Sequence, residues 1–259
     1  MKIYVINLDK DSQRLDFMTS NLTAAGLEFE RFRAIHYTDI PPHCRPLADR
    51  LAACGLRPGE VGCTLSHVEV WKKIASGPDD FAIIFEDDVH ITADFRAFCT
   101  GLDPDKGELA IHRLETFLAR VTLKRTPAYR MGKRTAHQML SNHGGAGAYL
   151  INRATAKAFL AMSDHFSNIV DVELFDPARG SVPARIKTYQ WLPAPCIQDM
   201  FISRTFTSNL LERLDFDNNH LGPLSRWEPL KQLLRPLNTA LQDLRLRPSG
   251  RTRRLIRHG

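Results

Sequence analysis

The sequence predicts an α/β fold in which a largely buried sheet is flanked by helices and carries its functional residues at the strand tips. Two stretches carry that prediction. Phe81-Ala82-Ile83-Ile84-Phe85 is a run of five apolar residues, rich in β-branched and aromatic types, as expected of a short strand buried on both faces. It runs straight into Glu86-Asp87-Asp88. The second stretch is the opening of the chain, where a strand over Ile3–Leu8, an amphipathic helix and a second strand over Leu27–Ile35 follow one another. In open α/β sheets ligands collect beyond the carboxyl ends of the strands. Asn7 and Asp9 stand at one such end and the three carboxylates at another.

Asp11 or Ser12 caps the first helix, Leu15, Met18 and Leu22 form its apolar face, and Gly26 stops it. Arg14, one turn in, reaches toward a phosphate beside Asn7 and Asp9 or lies on a solvated face; its spacing leaves both open. Pro41, Pro42 and Pro46 mark an irregular loop. A longer helix follows, with Val61, Leu65, Val68, Trp71 and Ala75 on one face and Gly77 as its stop. Ser66 and His67 lie in its middle, and neighbours on a helix point in different directions, so they form no nucleophile–base pair.

Past the acidic tripeptide, 94–98 reads as a short helix and 108–114 as a strand. Residues 116–142 are weakly patterned and read as hairpin or loop, with Arg120, Lys124, Arg125, Arg130, Lys133 and Arg134 scattered through them. Gly144, Gly145 and Gly147 precede a strand, and backbone of this kind approaches a ligand closely or makes a tight bend. Asn152 caps a helix that runs to Ala161. Asp171 lies between apolar neighbours in Ile169-Val170-Asp171-Val172, as a cap, a paired core residue or a general base. Lys187–Pro195 is a last strand-like segment. From Leu224 the chain reads as a basic helical extension: a catalytic domain over 1–223 is followed by 224–259, in which Leu233, Leu234, Leu237, Leu241 and Leu244 precede six arginines between 245 and 257.

The 259 residues, 43% hydrophobic and 25% charged, match a soluble globular protein with a full core. A net charge of +6 favours an anionic partner such as a nucleotide, a phosphate-bearing glycan or a membrane surface. Five cysteines, an odd count without zinc-site spacing, together with no signal-like leader and no long apolar span, suggest reduced thiols and a cytoplasmic location. No Gly-rich dinucleotide fingerprint is present, which argues against NAD or FAD. Three clustered carboxylates repel one another unless a cation or proton intervenes, and their hard oxygens suit Mn²⁺ or Mg²⁺ over zinc. A solvated acidic turn is the plainer reading of the tripeptide taken alone.

The ordered set Asn7-Leu8-Asp9 with Arg14, then Gly59-Glu60-x-Gly62-Cys63-x-x-Ser66-His67, then Phe85-Glu86-Asp87-Asp88 resembles glycosyltransferase family 25, which includes bacterial lipooligosaccharide galactosyltransferases. The Gly144–Tyr149 segment and Val170-Asp171 follow in the family's order, so the likeness spans about three quarters of the chain. Lys10 stands where the family often has arginine. The resemblance implies a GT-A-like, Rossmann-related sheet and inverting transfer of a hexose, first galactose from UDP-galactose, onto a glycan such as lipooligosaccharide. It implies Mn²⁺ or Mg²⁺ on Glu86 and Asp88, with Asp87 orienting them or binding ribose. Donor contacts would come from Asn7, Asp9, Arg14, Glu60, Gly62, Ser66, His67, Gly145 and Gly147. Asp171 would be the base, with Glu173 as second choice. The basic tail would touch an anionic membrane, and nucleic acid is not expected. Two other readings remain: a metal-dependent nucleotidyltransferase or phosphohydrolase, and a non-catalytic glycan-binding relative.

Overall fold

A computed structural model describes residues 1–104, 107–206 and 249–259. The chain opens with β1 (Lys2–Asn7), α1 (Ser12–Ala24) and β2 (Glu30–Arg33), then α2 (Arg45–Ala53), α3 (Pro58–Ser76) and β3 (Phe81–Glu86). It continues through β4 (Val89–Ile91), α4 (Phe95–Gly101), β5 (Ala110–Arg113), β6 (Glu115–Thr116), β7 (Arg120–Lys124), β8 (Tyr129–Met131) and β9 (Arg134–Gln138). β10 (Ala148–Asn152), α5 (Arg153–Ser163), α6 (Val170–Phe175), β11 (Lys187–Leu192), β12 (Cys196–Gln198) and β13 (Arg251–Leu255) complete it.

Eight strands form one mixed sheet in the order β2-β1-β3-β10-β5-β11-β9-β8. β1 pairs in parallel with both β2 and β3, so the tips bearing Asn7 and Glu86 lie side by side at one edge of the sheet. β10 runs antiparallel to β3 and sets Ala148 opposite Phe85, which brings the glycine segment to the same edge. A three-stranded sheet, β4-β12-β6, adds Gln198 and Glu115 beside it.

The period-2 alternation of the strands splits the core into two layers. Tyr4, Ile6, Ile84, Tyr149 and Ile151 pack with Leu65, Trp71 and Phe159 on the α3 and α5 side. Ile3, Val5, Ile83, Phe85 and Leu150 pack with Met18, Leu22, Phe95 and Phe98 on the α1 and α4 side. Gly26 ends α1 as expected: it takes φ +66°, and Leu27 N donates back to Leu22 O at 2.9 Å. That backward bond delays the second strand to Glu30. Asn152 caps α5, its side chain accepting from Thr155 N at 2.7 Å.

The far end of the expected C-terminal helix needs correction. Arg251–Leu255 form a strand, β13, paired antiparallel with β7 from Arg251↔Lys124 to Leu255↔Arg120. The residues beyond it are stitched in as well: Thr116 Oγ1 donates to Ile256 O at 2.6 Å, Ala194 N to Arg257 O at 2.7 Å and Arg134 Nη2 to Gly259 O at 2.8 Å. The non-local partners on β7 and β12 decide this, since the side-chain pattern alone also fits a helix. The Leu-rich segment 233–244, Arg245, Arg247 and the boundary at 223/224 lie outside the described residues. Among the described residues no helix is long and apolar enough to cross a membrane.

Candidate active site

The corner is built from Asp87 outward. Asn7 Nδ2 donates to its Oδ2 at 2.7 Å and Arg14 Nη1 to its Oδ1 at 2.8 Å, so both oxygens are held. Asn7 is itself oriented by donating to Asp11 O and accepting from Arg31 Nε at 3.0 Å. Arg14 therefore faces the carboxylates and not open solvent. Asp88 is treated differently. Arg14 lies 3.5 Å from its Oδ2, while its Oδ1 is buried without a hydrogen-bond partner. Burial first, then Glu86, Asp87 and Asp199, push the Asp88 carboxyl up to about 7 against the opposing Arg14 guanidinium. Burial also raises Asp87, although Arg14 and Asn7 hold it back.

Glu86 meets α3 on one side and β12 on the other. His67 Nε2 stands 3.5 Å from its Oε1, Cys63 Sγ donates to the same oxygen at 3.7 Å, and Gln198 Nε2 donates to Oε2 at 3.0 Å. Burial favours the protonated form of Glu86, but His67, Cys63 and Arg14 bring its carboxyl below the ordinary range. Cys63 and His67 are one helical turn apart on α3, which is why both reach one oxygen. The Cys63, His67 and Glu86 donor atoms all lie within 4.8 Å of one another, but burial holds the thiol well above its ordinary value and so protonated. Behind His67, Trp71 Nε1 donates to Tyr149 Oη at 2.8 Å, and that hydroxyl sits 2.8 Å from His67 Nδ1. With Trp71 donating, the hydroxyl proton can point at Nδ1, which leaves Nε2 to carry a ring proton toward Glu86.

Across the corner lies the glycine segment. Arg113, fully buried, donates to Gly145 O at 2.6 Å, to Gly144 O, and to Glu115 Oε1 at 3.2 Å. Glu115 Oε1 also accepts from Gly147 N at 2.8 Å, and burial pushes this carboxyl up to about 8 while Arg113 opposes the shift. Asp171 closes the far side: its Oδ2 accepts from Gly145 N at 3.0 Å and its Oδ1 is buried and unpartnered.

Several expected donor residues have other work. Asp9 is exposed and accepts from Arg31 and Arg33, both at 2.6 Å. Glu60 caps its own helix, its Oε2 accepting from Arg57 N at 2.9 Å. Gly62 and Ser66 dock α3 onto the segment after β2: a Cβ on Gly62 would stand 2.5 Å from Ile35 O, and Ser66 Oγ accepts from Ile35 N at 2.8 Å. An open groove of about 600 Å³ runs alongside, lined by Leu8, Asp9, Phe32, Ile35 and His36 among others. Glu173 is fully buried, with both oxygens taken by donors from Ser167, Asn168 and Ser181. It ties a loop, and this corrects its place as second candidate base.

Gly145 and Gly147 are required by packing. Gly145 has φ +85°, and a Cβ there would meet the Phe117 ring at 2.3 Å; at Gly147 it would meet Gln198 Nε2 at 2.4 Å. Gly145→Ala is expected to lower stability by about 1–3 kcal/mol through backbone strain and displacement of Phe117. Urea denaturation checks this, and an unchanged midpoint refutes it.

Sequence reading missed Arg113, Glu115, Tyr149, Gln198 and Asp199. The signal was present: polar residues at the ends of apolar strands, the same rule that singled out Glu86. Asp199 N donates to Asp88 O at 2.7 Å, and its buried carboxylate accepts from Phe206 N at 3.0 Å and contacts His90 Nε2 at 2.8 Å.

A family model described as "Glycosyltransferase family 25 (LPS biosynthesis protein)" matches residues 1–174. The chain belongs to glycosyltransferase family 25. The lipooligosaccharide biosynthesis protein lex-1 of Haemophilus influenzae is 28% identical over 198 residues, covering 69% of this chain and 62% of that protein. The chain thus spans less than two thirds of that relative. The lacto-N-neotetraose biosynthesis glycosyltransferase LgtE of Neisseria gonorrhoeae is 25% identical over 231 residues, 85% of this chain and 81% of that one. Among solved structures, a glycosyltransferase involved in glycosylation of the major capsid of PBCV-1 aligns with a TM-score of 0.39 at 8% identity, over 84% of this chain and 98% of that one. At that level the likeness carries no argument.

Proposed function

We propose that this family 25 member transfers a hexose, galactose in the first instance, from a UDP-sugar to a lipooligosaccharide- or LPS-type glycan, with inversion at the anomeric carbon and on a GT-A-like sheet. The observation that carries this reading is the carboxylate corner: Asp87 is clamped by Asn7 and Arg14, while Asp88 keeps one buried oxygen, Oδ1, without a hydrogen-bond partner.

The donor set fits Mn²⁺ or Mg²⁺. An orphaned carboxylate oxygen beside two further acids, its carboxyl raised by their charge, is what a hard cation relieves. Asp88 and Glu86 would hold the ion, which when bound neutralises the diphosphate leaving group. The groove beside Asp9 is of a size for a nucleoside. Arg14, two helical positions beyond Ser12 at the start of α1, places a cation where the phosphates would run. Asp171, anchored through Oδ2, offers Oδ1 to the acceptor hydroxyl. The hydroxyl proton passes to that carboxylate, the acceptor oxygen bonds the anomeric carbon from the face opposite the diphosphate, and UDP departs with the electrons of the broken bond. Arg113 holds the glycine segment that positions Asp171. A cytoplasmic location belongs to the same proposal.

Incubation with a panel of UDP-sugars and truncated lipooligosaccharide acceptors tests it. The expected result is UDP release that requires acceptor, and a product whose new linkage has inverted configuration by NMR. Acceptor-independent hydrolysis, or nucleotide transfer in place of sugar, overturns the reading.

A further inference from the structure

We propose that the two-stranded ribbon β7–β13 is a docking face for an anionic lipid surface, set so that its apolar end borders the active-site cleft. The charge of the chain is segregated. Residues 116–140 and 249–259 contain ten of the 35 Lys and Arg and none of the 29 Asp and Glu, leaving 25 cations against 29 carboxylates elsewhere. The positive charge behind the overall +6 is therefore concentrated in two distant stretches, and the fold sets five of those ten cations, Arg120, Lys124, Arg251, Arg253 and Arg254, on the paired strands β7 and β13, while Lys133 and Arg134 are ion-paired with Asp94 elsewhere.

Opposed residues of an antiparallel pair share a face. One face of the ribbon holds Val121 and Leu123, both fully buried. The opposite face pairs Lys124 with Arg251, Thr122 with Arg253 and Arg120 with Leu255, and Arg120, Lys124, Arg251 and Leu255 on it are exposed. Exposed aliphatic residues gather at its Leu255 end: Leu255 is 38% exposed and Leu118, two positions before Arg120, is 45% exposed. Between Leu118 and the cleft stands Phe117, whose ring packs on Phe201 with centroids 4.9 Å apart, and Ile202 beyond it is 50% exposed. The Phe117 ring also closes on Gly145, where an added Cβ would strike it at 2.3 Å. The apolar end of the ribbon is thus three residues from Glu115 and is joined through Phe117 to the glycine segment that anchors Asp171.

A cationic face ending in exposed leucines is the composition of an interfacial lipid-binding surface: the charges attract anionic headgroups and the aliphatic tips enter the acyl boundary. Nucleic acid is the other polyanion such charge attracts, but the outward ribbon face presents no aromatic ring on which a base would stack. Docking stands on charge and exposure alone. That it brings a lipid-anchored acceptor to the cleft rests on the function proposed above.

Vesicle co-sedimentation of the full chain, without donor or acceptor, tests docking independently of catalysis. Truncation is unsuitable because residues 251–259 are hydrogen-bonded into the body. The variants are therefore Arg120→Gln/Lys124→Gln/Arg251→Gln and, separately, Leu255→Ser, each checked for an unchanged melting temperature. The wild type is expected to bind phosphatidylglycerol-containing vesicles at low salt, to release at high salt and to ignore pure phosphatidylcholine. The triple variant should lose about fivefold in partitioning per charge, roughly a hundredfold in all. Leu255→Ser should weaken binding with the charges intact. Undiminished binding of the triple variant, equal binding to neutral vesicles, or displacement from vesicles by a DNA oligonucleotide at matched phosphate overturns the proposal. Retained docking in a protein that fails every sugar-transfer assay would refute the reaction and leave the surface standing.

Discussion

Asp88→Asn is expected to leave the fold standing and to lower turnover about a thousandfold or more, since it removes several kcal/mol of leaving-group stabilisation. Asparagine keeps the size of the side chain and surrenders the charge at the carboxylate of the acidic tripeptide that has an unpartnered oxygen. Acceptor-dependent UDP release measured against added Mn²⁺ or Mg²⁺, alongside far-UV circular dichroism, reads both halves. Full activity in the variant, or in the wild type under excess chelator, defeats the assignment. The metal-free protein gives a second readout. The Asp88 carboxyl is raised from 3.8 to about 7 in the fold, so between those values the native state holds a proton that the unfolded state has released. Wild-type stability from this group therefore falls as pH rises through that window, and Asp88→Asn flattens the fall. In chelator above neutral pH the variant should melt higher than the wild type, with no such gain at the acid end.

Asp171→Asn is expected to cut turnover by about 10²–10⁴-fold with donor affinity nearly unchanged, the signature of a lost general base. The substitution retains an oxygen to accept from Gly145 N, so the glycine segment keeps its anchor. Donor binding by calorimetry and kcat on a soluble acceptor separate the two effects. If both fall together, Asp171 is a positioning residue. Glu173→Gln supplies the contrast. Its carboxylate accepts five hydrogen bonds in the interior, and an amide turned toward donors leaves some of them unmet. Roughly 3 kcal/mol of stability should go, with turnover per folded molecule preserved.

These two acids show where sequence reading stops. They sit two positions apart in the same apolar segment, and composition ranks them only weakly. Residues 170–175 form a helix, in which positions two apart point to opposite sides. Asp171 faces the glycine segment while Glu173 faces the 167–168 and 181 loops. The same limit applies to the acidic tripeptide: its place at a strand tip was legible, but which of its members is clamped and which is left with an open oxygen depends on Asn7 and Arg14, more than seventy residues away.

By itself the sequence determined the strand–helix–strand opening, the buried strand ending in three acids, α3 with its stop at Gly77, the Asn152 cap and the ordered motifs of the family. Each is local, written in side-chain periodicity, capping chemistry or residue order over a few turns. Tertiary structure alone decided the buried Arg113–Glu115 pair, the packing demand on Gly145 and Gly147, and the strand at Arg251–Leu255 in place of a helix. These depend on which backbone edge or carboxylate arrives from a distant part of the chain. The basic residues of 251–255 carry no pattern that chooses a strand over a helix, whereas the hydrogen-bonding edge of β7 decides that they form a strand.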